Sequence, residues 1–149
     1  MSVDSRLRLK GFMDFLKKKK IPVPKENILC GEFQEKPAEE AMKHFWDPKK
    51  KITAMFCLND TMAYGVMKAM GERGLRCPKD ISLVGFDDDR RAASAKPPLT
   101  TLRVPLYEIA RKAAERLVEF IEAKSRKGFS RKQELFPVSV VERDSVREA

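Results

Sequence analysis

Long hydrophobic runs are missing from this chain of 149 residues. No stretch approaches the roughly 20 apolar residues of a membrane span, and the opening Met-Ser-Val-Asp-Ser-Arg has no signal-peptide core. The expectation is a cytoplasmic protein with no membrane partner. Cysteine is scarce as well: Cys30, Cys57 and Cys77 are odd in number, widely spaced and form no Cys-x-x-Cys pair. With His44 the one histidine, neither a zinc site nor another metal or cofactor site is expected. Cys57 sits in an apolar run and reads as a small core residue, and reduced thiols agree with the cytosol. Also absent are a helix-turn-helix pattern and an aromatic-rich single-strand motif, although 31 Lys+Arg against 22 Asp+Glu give a net charge of +9. The basic residues are spread along the chain, and the tightest run, Lys17 to Lys20, closes a helix, where cations complement the dipole. The charge therefore reads as a solvated surface rather than a nucleic-acid site.

What is present describes one globular domain. The composition is 42% hydrophobic and 36% charged, and a chain of this size buries roughly 70% of its unfolded surface. Its most informative stretch is Ile81-Ser82-Leu83-Val84-Gly85-Phe86-Asp87-Asp88-Asp89. Apolar, β-favouring residues end in a Gly, an aromatic and three carboxylates, as in a buried strand that delivers polar groups at its carboxyl edge. Ligands of open α/β sheets bind in the crevice beyond such edges.

The rest of the chain alternates. Apolar spacing predicts a helix over residues 4–20, with Leu7, Gly11, Phe12, Phe15 and Leu16 on one face, ended by Ile21-Pro22-Val23-Pro24. A strand at 27–31, a helix from Pro37 to Trp46, a strand at 53–58 and a helix over 62–72 ending before Gly74 come after it. The strand at 81–86 is next, then an irregular stretch over 90–96 and an extended one over 97–101. A long helix over 106–125 carries the apolar stripe Leu106, Ile109, Ala110, Ala113, Leu117, Phe120 and Ile121. Lys124 to Lys132 reads as a basic linker, and 135–141 as a strand that Pro137 pushes towards an edge. Helices between strands predict an α/β fold: a three-layer parallel sheet covered by helices on both faces.

The order of local motifs is more specific than any one of them. Arg6-Leu7-Arg8-Leu9-Lys10-Gly11-Phe12 is followed by Gly31-Glu32-Phe33, by the run from Thr53 to Gly65 containing Leu58-Asn59-Asp60-Thr61, and by the run from Gly74 to Asp88. Pro97-Pro98-Leu99-Thr100-Thr101 and Val141-Glu142-Arg143-Asp144-Ser145-Val146 complete the series. Together these resemble the effector-binding core of the lactose/galactose-repressor (LacI/GalR) family of bacterial transcription regulators, over nearly the whole chain. The resemblance implies a two-lobed, periplasmic-binding-protein-like core preceded by a DNA-binding headpiece, of which this chain matches only the C-terminal part. Residues 1–104 would be the effector-binding lobe, and 105–149 a terminal helix and strand that normally pack on the first lobe. By the same resemblance Arg8 clamps the effector, Phe33 stacks on it, Asn59 offers an amide and Asp87 a carboxylate. Ser2 stands where purine-type members carry an arginine, which favours a sugar-like effector. The implied partners are a sugar or sugar derivative, a second copy of the chain, and DNA only through the headpiece.

The chemistry suits that reading. A carboxylate accepts from adjacent hydroxyls, a guanidinium offers a rigid donor fork, an amide does both, and an aromatic face covers the apolar side of a sugar ring. Plainer readings stand beside it. Asn59 or Asp60 caps the next helix, with Asp60 the favoured cap; Asp87 to Asp89 is a solvated turn; Arg8 is a surface charge. His44 and Trp46 read as packing at a helix end, and Tyr64 with Met62, Met67 and Met70 as a core or dimer face. Two functional alternatives remain. One is the solute-binding module of a sugar transporter, which needs an export signal. The other is Mg²⁺-dependent phosphoryl transfer using Asp87 and Asp89, which needs a later lysine and a second acidic pair. On the repressor reading no enzyme activity is expected. An exposed stripe on 106–125 predicts a homo-oligomer, and a half-built crevice predicts weak or no sugar binding.

Overall fold

The computed structural model describes residues 3–123 and 133–148. Its elements are α1 (Val3–Lys18), α2 (Glu35–Phe45), β1 (Ala54–Phe56), α3 (Asp60–Glu72), β2 (Ser82–Val84), β3 (Thr101–Arg103), α4 (Leu106–Glu122) and β4 (Ser139–Val141). The fold is α/β, as the alternation predicts. Strands β1 and β2 pair in parallel with Met55 beside Leu83. Val84 bridges in parallel to Thr100, which carries the sheet on into β3, and β3 pairs antiparallel with β4 so that Leu102 faces Val140.

Burial explains why these segments hold. Ile81 and Leu83 have no exposure, and Met42, Phe45, Ala63, Tyr64, Val66, Ala69 and Met70 from α2 and α3 close over them in one core. Tyr64 and Met70 thus belong to the core, and Met62 and Met67 pack against it. Cys57 is buried in the same cluster, where the apolar surroundings push its thiol up to about 12. Cys77 is half-buried and is pushed up to about 11 by the same cause. Cys30 is exposed. A disulfide-exchange reagent is expected to modify Cys30 within seconds and the other two thiols only after denaturant is added. Fast titration of two or more thiols in the native protein would contradict this packing.

Several expectations need correction. Residues 27–31 form no strand: a short 3-10 turn covers Lys25–Asn27, and the chain beyond it joins no ladder among the described residues. His44 is not packed at the helix end but exposed, its Nδ1 2.8 Å from the Glu40 carbonyl of its own helix. Trp46 does pack against the core. The stripe expected to bury α1 is partly bare, with Leu7 63% and Phe15 57% exposed. Phe12 is better covered and stacks on Phe56 at 5.1 Å between ring centres. Helix α4 has no buried residue, and Leu106, Leu117, Val118 and Ile121 are exposed. The basic linker 124–132 and Ser2 lie outside the described residues.

Candidate functional site

Two turns, one after β1 and one after β2, organise the carboxyl edge of the sheet. After β1 the chain turns at Asn59, whose extended backbone and side-chain oxygen cap α3 by accepting from Met62 N at 2.9 Å. The cap is therefore Asn59 and not Asp60, which the sequence favours. Asp60 is 1% exposed and faces inward. Its carboxylate accepts from Thr101 Oγ1 at 2.5 Å and from the Asp89 amide at 2.8 Å, while its own amide donates to the Phe86 carbonyl at 2.8 Å. The turn after β2 is thus wrapped around one buried carboxylate. Gly85 is required there, because a Cβ would sit 2.1 Å from Asp60 Oδ1.

That turn presents Asp87. Its φ of 117° and the 55° of Asp88 lie in the left-handed region, which non-glycine residues adopt only when surroundings enforce it. Here the Asp87 amide donates to the Leu102 carbonyl at 2.9 Å, tying the turn to β3. From the other side Arg8 of α1 reaches in, with Nη2 3.2 Å from Asp87 Oδ1 and Nη1 donating to the Leu58 carbonyl at 2.5 Å. Its guanidinium lies 3.8 Å from the centre of the Phe86 ring and 5.8 Å from that of Phe33. Phe33, at φ 58°, is held by Asn59, whose Nδ2 donates to the Phe33 carbonyl at 3.2 Å. Arg8, Phe33, Asn59 and Asp87 therefore meet in one network at one edge of the sheet. Asn59 has its oxygen and one donor engaged by the fold, whereas the Asp87 side chain is 40% exposed.

Three contributors are not evident from the sequence. Phe86 forms the nearer wall against Arg8, and the step from Gly85 to an aromatic at the strand end is its only signal. Asp60 is the turn's internal anchor, hidden behind the cap signal it shares with Asn59. Asp88 faces away from the crevice and pairs with Arg103 Nε and Arg143 Nη2, each at 2.6 Å. Arg143 also donates to the Leu99 carbonyl, and the Ser145 hydroxyl, with no exposure, donates to Leu83 O at 2.6 Å and accepts from Thr100 N at 2.8 Å. The segment after β4 is thereby stitched to the central strands. Asp89 accepts from the Tyr64 hydroxyl at 2.6 Å, so it too is engaged inside the fold.

The carboxylates differ in charge preference. Burial pushes Asp60 above its ordinary range, against the bonds from Thr101 and Asp89 N that favour the ionised form. Burial also raises Asp87, partly offset by Arg8. For Asp88 burial acts upward too, but Arg143 and Arg103 together hold it below the usual range. A carboxyl raised on folding binds its proton more tightly in the native state, so its contribution to stability falls as pH rises above the ordinary 3.8. The Asp60→Asn variant removes that dependence, and its stability relative to the parent is expected to improve from acid to neutral pH in urea titrations. A difference that stays flat over that range, or widens in the other direction, would remove the buried-carboxylate account. Among the described residues no group of three His, Cys, Asp or Glu side chains is placed to hold a metal ion, and no helix is long and apolar enough to cross a membrane.

A guanidinium and a carboxylate opposed at 3.2 Å, with two aromatic rings against the guanidinium, sit at the carboxyl edge of a parallel sheet, where ligands of such folds bind. The family described as "Periplasmic binding protein-like domain" matches residues 2–146. The chain is 38% identical over 139 residues to the HTH-type transcriptional repressor PurR of Klebsiella pneumoniae (strain ATCC 700721 / MGH 78578), spanning 93% of this chain and 40% of the repressor. It is 36% identical over 140 residues to PurR of Vibrio atlanticus (strain LGP32), spanning 94% and 41%. A sugar-binding transcriptional regulator of the LacI family from Escherichia coli, solved with phosphate, superposes with a TM-score of 0.85 at 29% identity over 97% of this chain and 51% of that one. The chain belongs to the LacI/GalR family of regulators and carries its C-terminal effector-binding region. It spans about two fifths of the length of the curated repressors it matches.

Proposed function

We propose that the chain is the effector-sensing region of a bacterial transcriptional repressor, working in the cytoplasm and taking a small hydroxylated molecule of the sugar class. The observation that supports this most directly is the Arg8–Asp87 pair at 3.2 Å, with the Phe86 and Phe33 ring centres 3.8 and 5.8 Å from the guanidinium. A polyhydroxyl guest can accept from the guanidinium and donate to the carboxylate while an aromatic ring covers its C–H face. Repression itself depends on a second lobe and a headpiece, because coupling needs two states that differ in ligand contacts. The side chains of Arg8 and Asp87 keep 21% and 40% exposure, so binding to these 149 residues by themselves is expected to be in about the millimolar range, near 4 kcal/mol.

Titration with simple hexoses and pentoses, followed by amide chemical shifts, tests the reading. Shifts are expected at Arg8, Phe33, Asn59 and Asp87, and the Asp87→Ala variant should weaken the response about tenfold or more, the usual loss for a hydrogen bond to a charged group. Perturbation confined to other surfaces, or none at any attainable sugar concentration, would overturn it. Micromolar affinity would instead show that one lobe suffices.

The assembly we propose is a homodimer in which α4 and β4 pack across the subunit boundary. Support comes from the exposed Leu106, Leu117, Val118 and Ile121 on α4 and Val140 on β4. Light scattering at micromolar concentration is expected to give twice the chain mass, and Leu117→Lys should halve it. A clean monomer in the parent protein would remove this element.

A further inference from the structure

The amino edge of the sheet, opposite the Arg8–Asp87 pair, gathers basic residues that the sequence disperses. Strands β1 and β2 are parallel, so the turns leading into both lie at this edge. Lys49 to Lys51 lead towards β1, and Lys79 leads towards β2, its carbonyl accepting from Arg147 at 2.7 Å. Helix α1 brings a second run. Arg8, in its first half, touches Leu58 O and Asp87 at the carboxyl edge, so Lys17 to Lys20, at and just past its other end, lie at the amino edge. Ile21, Pro22 and Asn27 line one concavity with Lys51 and Thr53, which places Lys25 in the same neighbourhood.

These lysines lack a counter-charge, and in that they differ from most others. Lys10 pairs with Asp14, Lys36 with Glu40, Lys43 and Lys68 with Glu39, and Lys112 with Glu115. Among the described residues no lysine over 17–25, over 49–51 or at position 79 pairs with a carboxylate. Lys50 points its ammonium at the Phe45 carbonyl, 3.1 Å away, and the rest are exposed. Cations so crowded repel one another, and a bound polyanion would relieve the repulsion. The charges sit on several turns at one end of the fold and not around a single cleft, which suits an extended polyanion better than a small one. Lysine meets phosphate as a point charge, so such a contact follows the backbone and is blind to sequence. Double-stranded DNA is the polyanion favoured: the chain belongs to a family of transcription regulators and has no aromatic-rich motif for stacking single strands. We propose that this basic edge is a docking surface for the phosphate backbone of duplex DNA. The sequence predicts a solvated surface because its basic residues are spread out, and it is the fold that collects them. The inference does not rest on the sensing role, since it concerns the opposite edge of the sheet and another class of partner.

Fluorescence anisotropy of a labelled duplex of about 20 base pairs and arbitrary sequence, titrated with the whole chain, tests it. A dissociation constant of about 10 μM is expected at about 50 mM salt, weakening steeply as salt is raised. A variant combining Lys18→Gln, Lys20→Gln, Lys49→Gln and Lys51→Gln should bind at least about tenfold more weakly. Its slope of log affinity against log salt should shrink by about one for each lysine. A control combining Lys10→Gln, Lys36→Gln, Lys96→Gln and Lys112→Gln removes the same charge away from this edge and should cost about threefold or less. The proposal is overturned if the control loses as much as the edge variant, because net charge alone then accounts for binding. It is equally overturned if the duplex does not bind at about 50 mM salt, or if polyglutamate of matched charge displaces it at equal concentration, which would assign the edge to an acidic protein.

Discussion

Gly65→Ala is expected to destabilise the protein by about 3 kcal/mol, the upper end of overpacking costs, and to lower its urea midpoint accordingly. Gly65 lies on α3 where the first turn of α2 backs onto it. An added Cβ would stand 2.0 Å from the Glu35 carbonyl oxygen and 2.9 Å from the Glu39 amide. Both atoms are backbone, so no rotamer change can relieve the contact and the two helices must separate. The gain in helix propensity from glycine to alanine, about 1 kcal/mol, is too small to compensate. Separation would also open the core around Met42 and Ala69, neither of which has any exposure. Urea denaturation checks the expectation; a midpoint close to the parent's would mean that α2 and α3 are not in the close contact described.

Asp88→Ala is the second large effect. The side chains of Asp88 and Arg143 are only 8% and 16% exposed, and removing one partner of a buried pair typically costs about 3–5 kcal/mol because the other ion is left without a counter-charge. Arg103, at 58% exposure, adds little to the total. The loss should localise: residues 143–147 should become sensitive to protease while the hydrogen-bonded pairing of β1 with β2 persists. Changing both ions, Asp88→Ala with Arg143→Met, should recover part of the stability. If the double variant is no better than the single one, the damage comes from the turn itself and not from the orphaned guanidinium.

These two sites mark the limit of what the sequence carries. The strands at β1 and β2 are legible because each is a continuous apolar run, and the helices because their apolar spacing and end signals agree. Arg8 and Asp87 lie 79 positions apart, and nothing in either neighbourhood says that they meet; only the order of six motifs places them together. The Asn59-Asp60 pair offers two caps of which the sequence favours Asp60, and the outcome is reversed by Thr101 and Asp89, which no local rule brings near. Residues 27–31 illustrate the converse. Their composition favours a strand, but a strand exists only by hydrogen-bonding to a neighbour, and among the described residues there is none beside them. Pairing of Asp88 with Arg143 is illegible for the same reason: the two acidic neighbours of Asp88 have an equal claim on any distant cation.

Arg8 and Asp87 neutralise one another within the fold. A guest that slips between them must therefore compete with an internal ion pair, and its own charge decides the outcome. An anionic guest would evict Asp87 from the guanidinium and leave that carboxylate stranded against Asp89; a cationic one would strip Arg8 from its carboxylate. On the proposed sensing role, an electrically neutral molecule would engage both poles and abandon neither, so such a site would select its guest by charge before shape.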